Sequence, residues 1–198
     1  MTGETTSQSL YLDLMQKCLT NTIYEDPPQD KWSGGTYNPK IRANGLDWPS
    51  KAHTMIGSQR MRNLRTLTEY VIINNIPGDL IEAGVWRGGA CIYMRAILKA
   101  FGVTDRVVWC ADSFEGLPEP DAEQFPQDAG DVHHTFEPLK VSLERVKNNF
   151  IKYTKNDEKL ADMALAIFQG DISLYEYKWK IIIRALYVCF RDFLRQRI

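Results

Sequence analysis

The chain has 198 residues, 44% of them hydrophobic and 25% charged, which is enough apolar content to bury one sizeable core and makes a single globular domain the default. Its 24 Lys plus Arg stand against 25 Asp plus Glu, a formal net charge of −1, so no overall field draws in a polyanion and nucleic acid is excluded as the expected partner. The start, MTGETTSQSLYLDLMQKC, lacks the basic and apolar regions of a secretory signal, and no run approaches the ~18 apolar residues of a membrane span, which points to the cytoplasm and away from a membrane.

From Ser9 to Ile23 the apolar residues Leu10, Leu12, Leu14, Met15, Leu19 and Ile23 recur mostly at three or four, which predicts a short amphipathic helix. Asp26 to Ser50 is rich in Pro, Gly, Asn and Trp without a sustained period, so an ordered, irregular loop is expected. Met55, Met61, Leu64, Leu67, Val71 and Ile72 fall near helical spacing until Ile76-Pro77-Gly78 stops them. GDLIEAGV is then a strand, RGGACIYMRAILKAFG a helix and DRVVWCADSF a second strand, a βαβ unit that calls for a parallel sheet. Leu117 to Pro138 is polar and turn-rich, a long connection of the kind that serves as a lid. LKVSLERVKNNFIKY places Leu139, Leu143, Val146, Phe150 and Ile151 on one helical face, ALAIFQGD makes a third strand, and WKIIIRALYVCF suits a fourth.

The strongest chemical signal is Glu82-Ala83-Gly84-Val85-Trp86-Arg87-Gly88-Gly89, at the junction of strand and helix. Gly84 allows a sharp turn, and Gly88 and Gly89 are expected to clear side chains from the helix's free N–H groups. Glu82 suits the cationic amino group of a methionine moiety and would repel a phosphate. The glycine spacing also lacks G-x-G-x-x-G, which argues against an NAD-dependent oxidoreductase. Asp112 ends the second strand, where carboxylates chelate ribose hydroxyls, although the same residue would also cap the turn of DSFEG.

Four cysteines, Cys18, Cys91, Cys110 and Cys189, are widely spaced with no histidine at metal-ligand spacing and are read as free thiols. His133 and His134, preceded by Asp128 and Asp131, have the residue types for proton transfer or metal binding, but a polar loop setting favours solvated histidines. His53 stands alone. Trp32, Trp48 and Trp86 look exposed enough to stack on a ligand, although packing is the commoner fate of such residues.

EAGVWRGGA, ADSFEGLPEPD, DAGDVHHTF and VSLERVKNNF, with KAHTMIGSQRMRNL upstream, resemble in their order the macrocin O-methyltransferase family of antibiotic-sugar methyltransferases, over about Trp48 to Asp171. The resemblance implies an α/β, Rossmann-like class I methyltransferase fold: a mostly parallel sheet with flanking helices, formed by residues 51–198 behind an N-terminal helix and loop at 1–50. It implies methyl transfer from S-adenosylmethionine to a sugar hydroxyl of a small-molecule acceptor, assisted by Mg²⁺, and a homo-oligomeric state is inferred from it alone. It assigns Thr54, Met55 and Ile56 to a segment over the cofactor, Glu82 and Gly84 to the methionine end, Asp112 and Ser113 to the ribose, and Ser142, Gly170 and Asp171 to the adenine. Asp171-Ile172 departs from the aromatic pair that the family usually carries after the glycine.

The family's metal and base come from a DGD-type motif on the fourth strand and an Asp-Asp pair after the fifth, and neither is present. Asp192 alone lies near the corresponding place, and one carboxylate does not make a magnesium site. The sheet is expected to lack its C-terminal strands, as though cut short after the third. Two readings therefore stand, a sugar O-methyltransferase or a truncated, non-catalytic cofactor-binding or dimerisation module, and Lys180 to Phe190 discriminates between them.

Overall fold

The computed structural model describes residues 6–120, 123, 126, 129–154 and 164–167. Helix α1 (Ser7–Leu19) starts where the Thr6 hydroxyl accepts the Ser9 amide at 3.1 Å. It ends at Thr20, short of the expected Ile23, because Asn21 takes a left-handed φ of 51°. Leu12 and Leu19 are fully buried, whereas Leu10 and Leu14 are exposed. At ~100° per residue, Leu12, Met15 and Leu19 share a stripe that Leu10 and Leu14 miss. Burying the two leucines contributes roughly 1.5–3 kcal/mol each.

The expected irregular loop contains helix α2 (Pro39–Asn44). Asn38 Oδ1 accepts the amides of Lys40 and Ile41, Pro39 opens the helix, and Gly45 closes it at φ 64°. Six residues are too few to show a hydrophobic period, so the helix is legible only from its caps. Its purpose is to carry Arg42, whose side chain is 1% exposed and pairs with Asp26 and Asp47, each 2% exposed, at 2.8 Å. Helix α3 (Gly57–Ile73) follows directly, with Gly57 pressed on Gly45: a Cβ on Gly57 would lie 2.4 Å from the Gly45 nitrogen.

Strand β1 (Leu80–Ala83), helix α4 (Gly89–Ala100) and strand β2 (Val108–Asp112) form the expected βαβ unit. Strand β3 (Ala164–Ile167) adds to β2, and the three run parallel in the order β1-β2-β3. Residues 89–98 of α4 are all buried, as befits a helix apolar around most of its circumference, and α1 and α3 pack on it from outside. Register puts Glu82 beside Cys110 and Leu80 beside Val108. β1 lies at the edge of the sheet among the described residues.

Helix α5 (Leu143–Thr154) buries Val146 and Phe150. Ile151, expected on the same face, is exposed, since it lies ~140° round the helix from Val146. The connection before α5 contains two short 3-10 turns, His133–Thr135 and Glu137–Leu139. The expected fourth strand and Gly170, Asp171 and Asp192 lie outside the described residues. No described helix is long and apolar enough to cross a membrane.

Candidate cofactor site

The turn between β1 and α4 is built by alternating backbone handedness: Gly84, Trp86 and Gly88 have φ of 82°, 49° and 86°. Gly84 continues the ladder through its amide to the Ala111 carbonyl at 2.9 Å, then leaves the sheet. A Cβ on Gly84 would meet nothing within 4 Å, so here the chain leaves open space. Trp86 holds its left-handed backbone through an indole N–H donated to the Pro138 carbonyl at 2.8 Å and the Arg87 guanidinium 4.1 Å over its ring.

Gly88 and Gly89 serve a different end from the one expected of them. A Cβ on Gly88 would lie 2.9 Å from the Phe150 ring, and one on Gly89 would lie 2.5 Å from the His53 carbonyl oxygen. The Gly89 amide donates to that oxygen at 2.9 Å. These glycines let α5 and the His53–Ile56 segment close on the start of α4, so chain rather than ligand fills the space they clear.

Glu82 leaves β1 on the face toward α4, where the Cys91 thiol donates to its Oε2 at 2.9 Å. The residue keeps part of its surface accessible, but its carboxyl group is enclosed. Burial raises its pKa to about 7, the Cys91 thiol and amide lower it less, and the nearby Asp112 raises it again. No described cation pairs with Glu82. Burial likewise holds the Cys91 thiol protonated, so it serves Glu82 as a donor.

Asp112 stands at the end of the neighbouring strand. Its Oδ2 accepts the Val85 amide at 2.7 Å and its Oδ1 the Phe114 amide at 2.9 Å. It therefore ties the two post-strand turns together and also caps its own, with Phe114 at φ 57°. Each carboxylate oxygen has a second lone pair, so these bonds leave acceptor capacity for hydroxyl groups. Ser113 is exposed and bonds locally, its hydroxyl donating to the Gly116 carbonyl at 3.1 Å.

Thr54 is buried against Gly89, its hydroxyl accepting the Ile56 amide at 3.3 Å, while Met55 and Ile56 stay partly accessible beside it. Glu82, Gly84, Asp112 and the Thr54–Ile56 segment thus gather around the start of α4. Ser142 is placed elsewhere: it caps α5 by accepting the Arg145 amide at 3.3 Å, and it lines a cleft of about 440 Å³ that touches none of the other predicted residues among those described.

The His133 Nδ1–H donates to the Asp131 carboxylate at 2.6 Å, an exposed contact between residues two apart; Asp128 lies outside the described residues. Trp32 meets Trp48 edge-on at 4.8 Å but stays 59% exposed, as expected, whereas Trp48 is half-buried and also meets Phe136 at 5.6 Å. Cys18, Cys91 and Cys110 are free thiols, and Cys189 lies outside the described residues. His53 is not isolated: its Nδ1 lies 2.7 Å from the Tyr153 hydroxyl, and burial followed by the charges of Lys152, Arg87 and Arg145 lowers its pKa to about 4. Among the described residues no group of three His, Cys, Asp or Glu side chains could hold a metal ion.

Comparison with known proteins is consistent with this geometry. The family profile described as Macrocin-O-methyltransferase (TylF) matches residues 8–169. The demethyldecarbamoylnovobiocin O-methyltransferase of Streptomyces niveus is 46% identical over a match covering 89% of this chain and 74% of that protein. The mycinamicin III 3''-O-methyltransferase of Micromonospora griseorubida is 41% identical, with 78% of this chain and 63% of that protein covered. The solved structure of the O-methyltransferase NovP superposes with a TM-score of 0.72 at 48% identity, covering 80% of this chain and 63% of that one. The chain thus spans between about three-fifths and three-quarters of the length of the relatives it matches.

Proposed function

This chain belongs to the macrocin O-methyltransferase family, and from that membership we propose that it transfers a methyl group from S-adenosylmethionine to a sugar hydroxyl of a natural product or related small molecule in the cytoplasm. The observation that carries the cofactor assignment is the enclosed Glu82 carboxylate, without a described cationic partner, beside the open turn at Gly84 and one strand from Asp112. An ammonium group satisfies Glu82, ribose hydroxyls satisfy the spare lone pairs of Asp112, and Gly84 admits the ligand to the turn. When bound, the cofactor supplies a sulfonium-activated methyl group. Thr54–Ile56 covers the start of α4 and restricts water there.

The Mg²⁺ that the resemblance implies finds no three-ligand group among the described residues. A second reading, a cofactor-binding module without turnover, stands beside the first. Calorimetry decides the first point: micromolar binding of S-adenosylhomocysteine with none of NADH supports the assignment, and the reverse ends it. Methyl transfer to a deoxysugar-bearing acceptor, with and without Mg²⁺, then separates enzyme from module.

Two glycine variants check the division of labour within the turn. Gly84→Ala has room for its Cβ but not the right backbone, so it costs only about 1–2 kcal/mol of stability. Its methyl enters the ligand space, and S-adenosylhomocysteine affinity falls at least about tenfold. Gly88→Ala instead meets Phe150 at the same unfavourable φ, and its main effect is roughly 2 kcal/mol lower stability in urea unfolding.

A further inference from the structure

The cleft lined by Ser142 has a composition that the methyl-transfer reading does not use. Lys51, Arg87, Arg145 and Lys152 all line it, against the single carboxylate of Glu144. In a chain with a net charge of −1, this is a strong local concentration of positive charge. Arg87 is its deepest member, 3% exposed. Its Nη1 donates to the carbonyls of Pro49 and Ala52 at 3.1 and 2.9 Å, and its Nε has no hydrogen-bond partner among the described residues. Among the described residues Lys152 finds only the neutral Asn149 Oδ1, at 2.9 Å. No carboxylate pairs with Arg87, Arg145 or Lys152 among the described residues.

The Arg87 guanidinium rests on two carbonyls and the Trp86 ring, none of which carries a full negative charge, so an anion in the cleft would serve as its counter-ion. Burial, and next the neighbouring Arg145, lower the Arg87 pKa to about 10, the direction expected of a cation without its counter-ion. Planar guanidinium forks match phosphate oxygens, ammonium groups add point charge, and the Asn148 amide offers a neutral donor beside them.

We propose that this cleft, between the Lys51–His53 segment and α5, is a binding site for a multiply charged oxyanion, a phosphate or diphosphate group, held by Arg87, Lys51, Arg145 and Lys152. The volume of about 440 Å³ leaves room for more of the molecule than the anion itself, so a phosphorylated small molecule is the class of ligand it fits.

Inorganic pyrophosphate is the probe, titrated by calorimetry with sodium chloride at matched ionic strength as control. Binding with a Kd of about 1 mM or tighter, absent for chloride, is expected. Arg145 and Lys152 are exposed on α5, so Arg145→Glu/Lys152→Glu keeps the fold, and a carboxylate three residues after the Ser142 cap favours the helix. This variant should bind pyrophosphate at least about tenfold more weakly, with S-adenosylhomocysteine affinity unchanged. Inorganic phosphate separates the two sources: binding near that of pyrophosphate identifies a single phosphate group, and much weaker binding a diphosphate. No binding of either anion by the natural chain, or equal pyrophosphate binding by the variant, overturns the proposal. Because the anions are read directly, failure of the cofactor assignment leaves this test intact.

Discussion

Glu82→Gln should make the protein more stable and a poorer binder of the cofactor. The carboxyl group has an ordinary pKa of 4.5 and is pushed up to about 7 in the folded chain, first by burial. A raised carboxyl pKa means that the folded state holds a proton the unfolded state releases. The associated stability is fully present below pH 4.5 and is lost as pH rises through about 7. At pH 8 the natural chain therefore carries a penalty of up to about 3 kcal/mol, which glutamine removes while still accepting the Cys91 thiol. Thermal melts should show the variant more stable at pH 8 and converging with the natural chain near pH 4.5.

The affinity should move the other way. A cofactor ammonium is held by the ionised carboxylate, and losing that charge-assisted bond costs about 1.5–3 kcal/mol, or ten- to a hundredfold in Kd. In the natural chain, S-adenosylhomocysteine affinity should fall about tenfold per pH unit below 7, with a proton released on binding there. In Glu82→Gln the profile should be flat over that range. Equal affinity and an unchanged pH profile in the two proteins would remove Glu82 from the site.

The alternation of β1, α4 and β2 is legible in the sequence because each signal is local: a short apolar run, a glycine-flanked turn, and a helix whose buried surface is written in consecutive residues. Glu82 and Asp112 are legible as a pair because parallel strands bring their carboxyl ends together. Other parts depend on contacts that spacing does not encode. Cys91 reaches Glu82 only once the turn has folded α4 back along β1, and nothing in GGACIY marks a thiol aimed at a carboxylate. Gly88 and Gly89 look like ligand-clearing glycines until α5 and His53, far away in sequence, occupy the space. Arg87 and Lys152, 65 positions apart, line one cleft only because α5 closes on the turn before α4, so a chain of nearly neutral composition conceals a basic cleft.

Arg42→Met should produce the largest loss of stability. Arg42 donates Nε to Asp47 at 2.8 Å, Nη1 to Asp26 at 2.8 Å and to the Thr20 carbonyl at 3.0 Å, and Nη2 to the Asp26 carbonyl at 2.8 Å. Burial alone would raise the Asp26 pKa, but the Lys51 amide and the Arg42 guanidinium more than offset it, and the pKa is lowered. Asp26 thus contributes stability that is present above pH 3.8 and lost as pH falls through its lower folded value.

Removing the cation leaves two carboxylates buried without a charge partner, a loss of about 3–5 kcal/mol by urea unfolding at pH 7. Mild acid, which protonates the stranded carboxylates, should narrow the gap, and Asp26→Asn/Asp47→Asn in the same chain should recover much of it. A loss under about 1 kcal/mol would show that solvent reaches this network freely. The consequence extends to the site, because Asp26 Oδ2 also accepts the amides of Lys51 and Ala52, and the next residue, His53, donates its amide to Leu19 and caps α4 through its carbonyl. Arg42 therefore holds in place the segment that delivers Thr54, Met55 and Ile56 to the start of α4. Cofactor affinity should weaken in Arg42→Met although no atom of Arg42 belongs to the turn, and it should return with the double asparagine rescue.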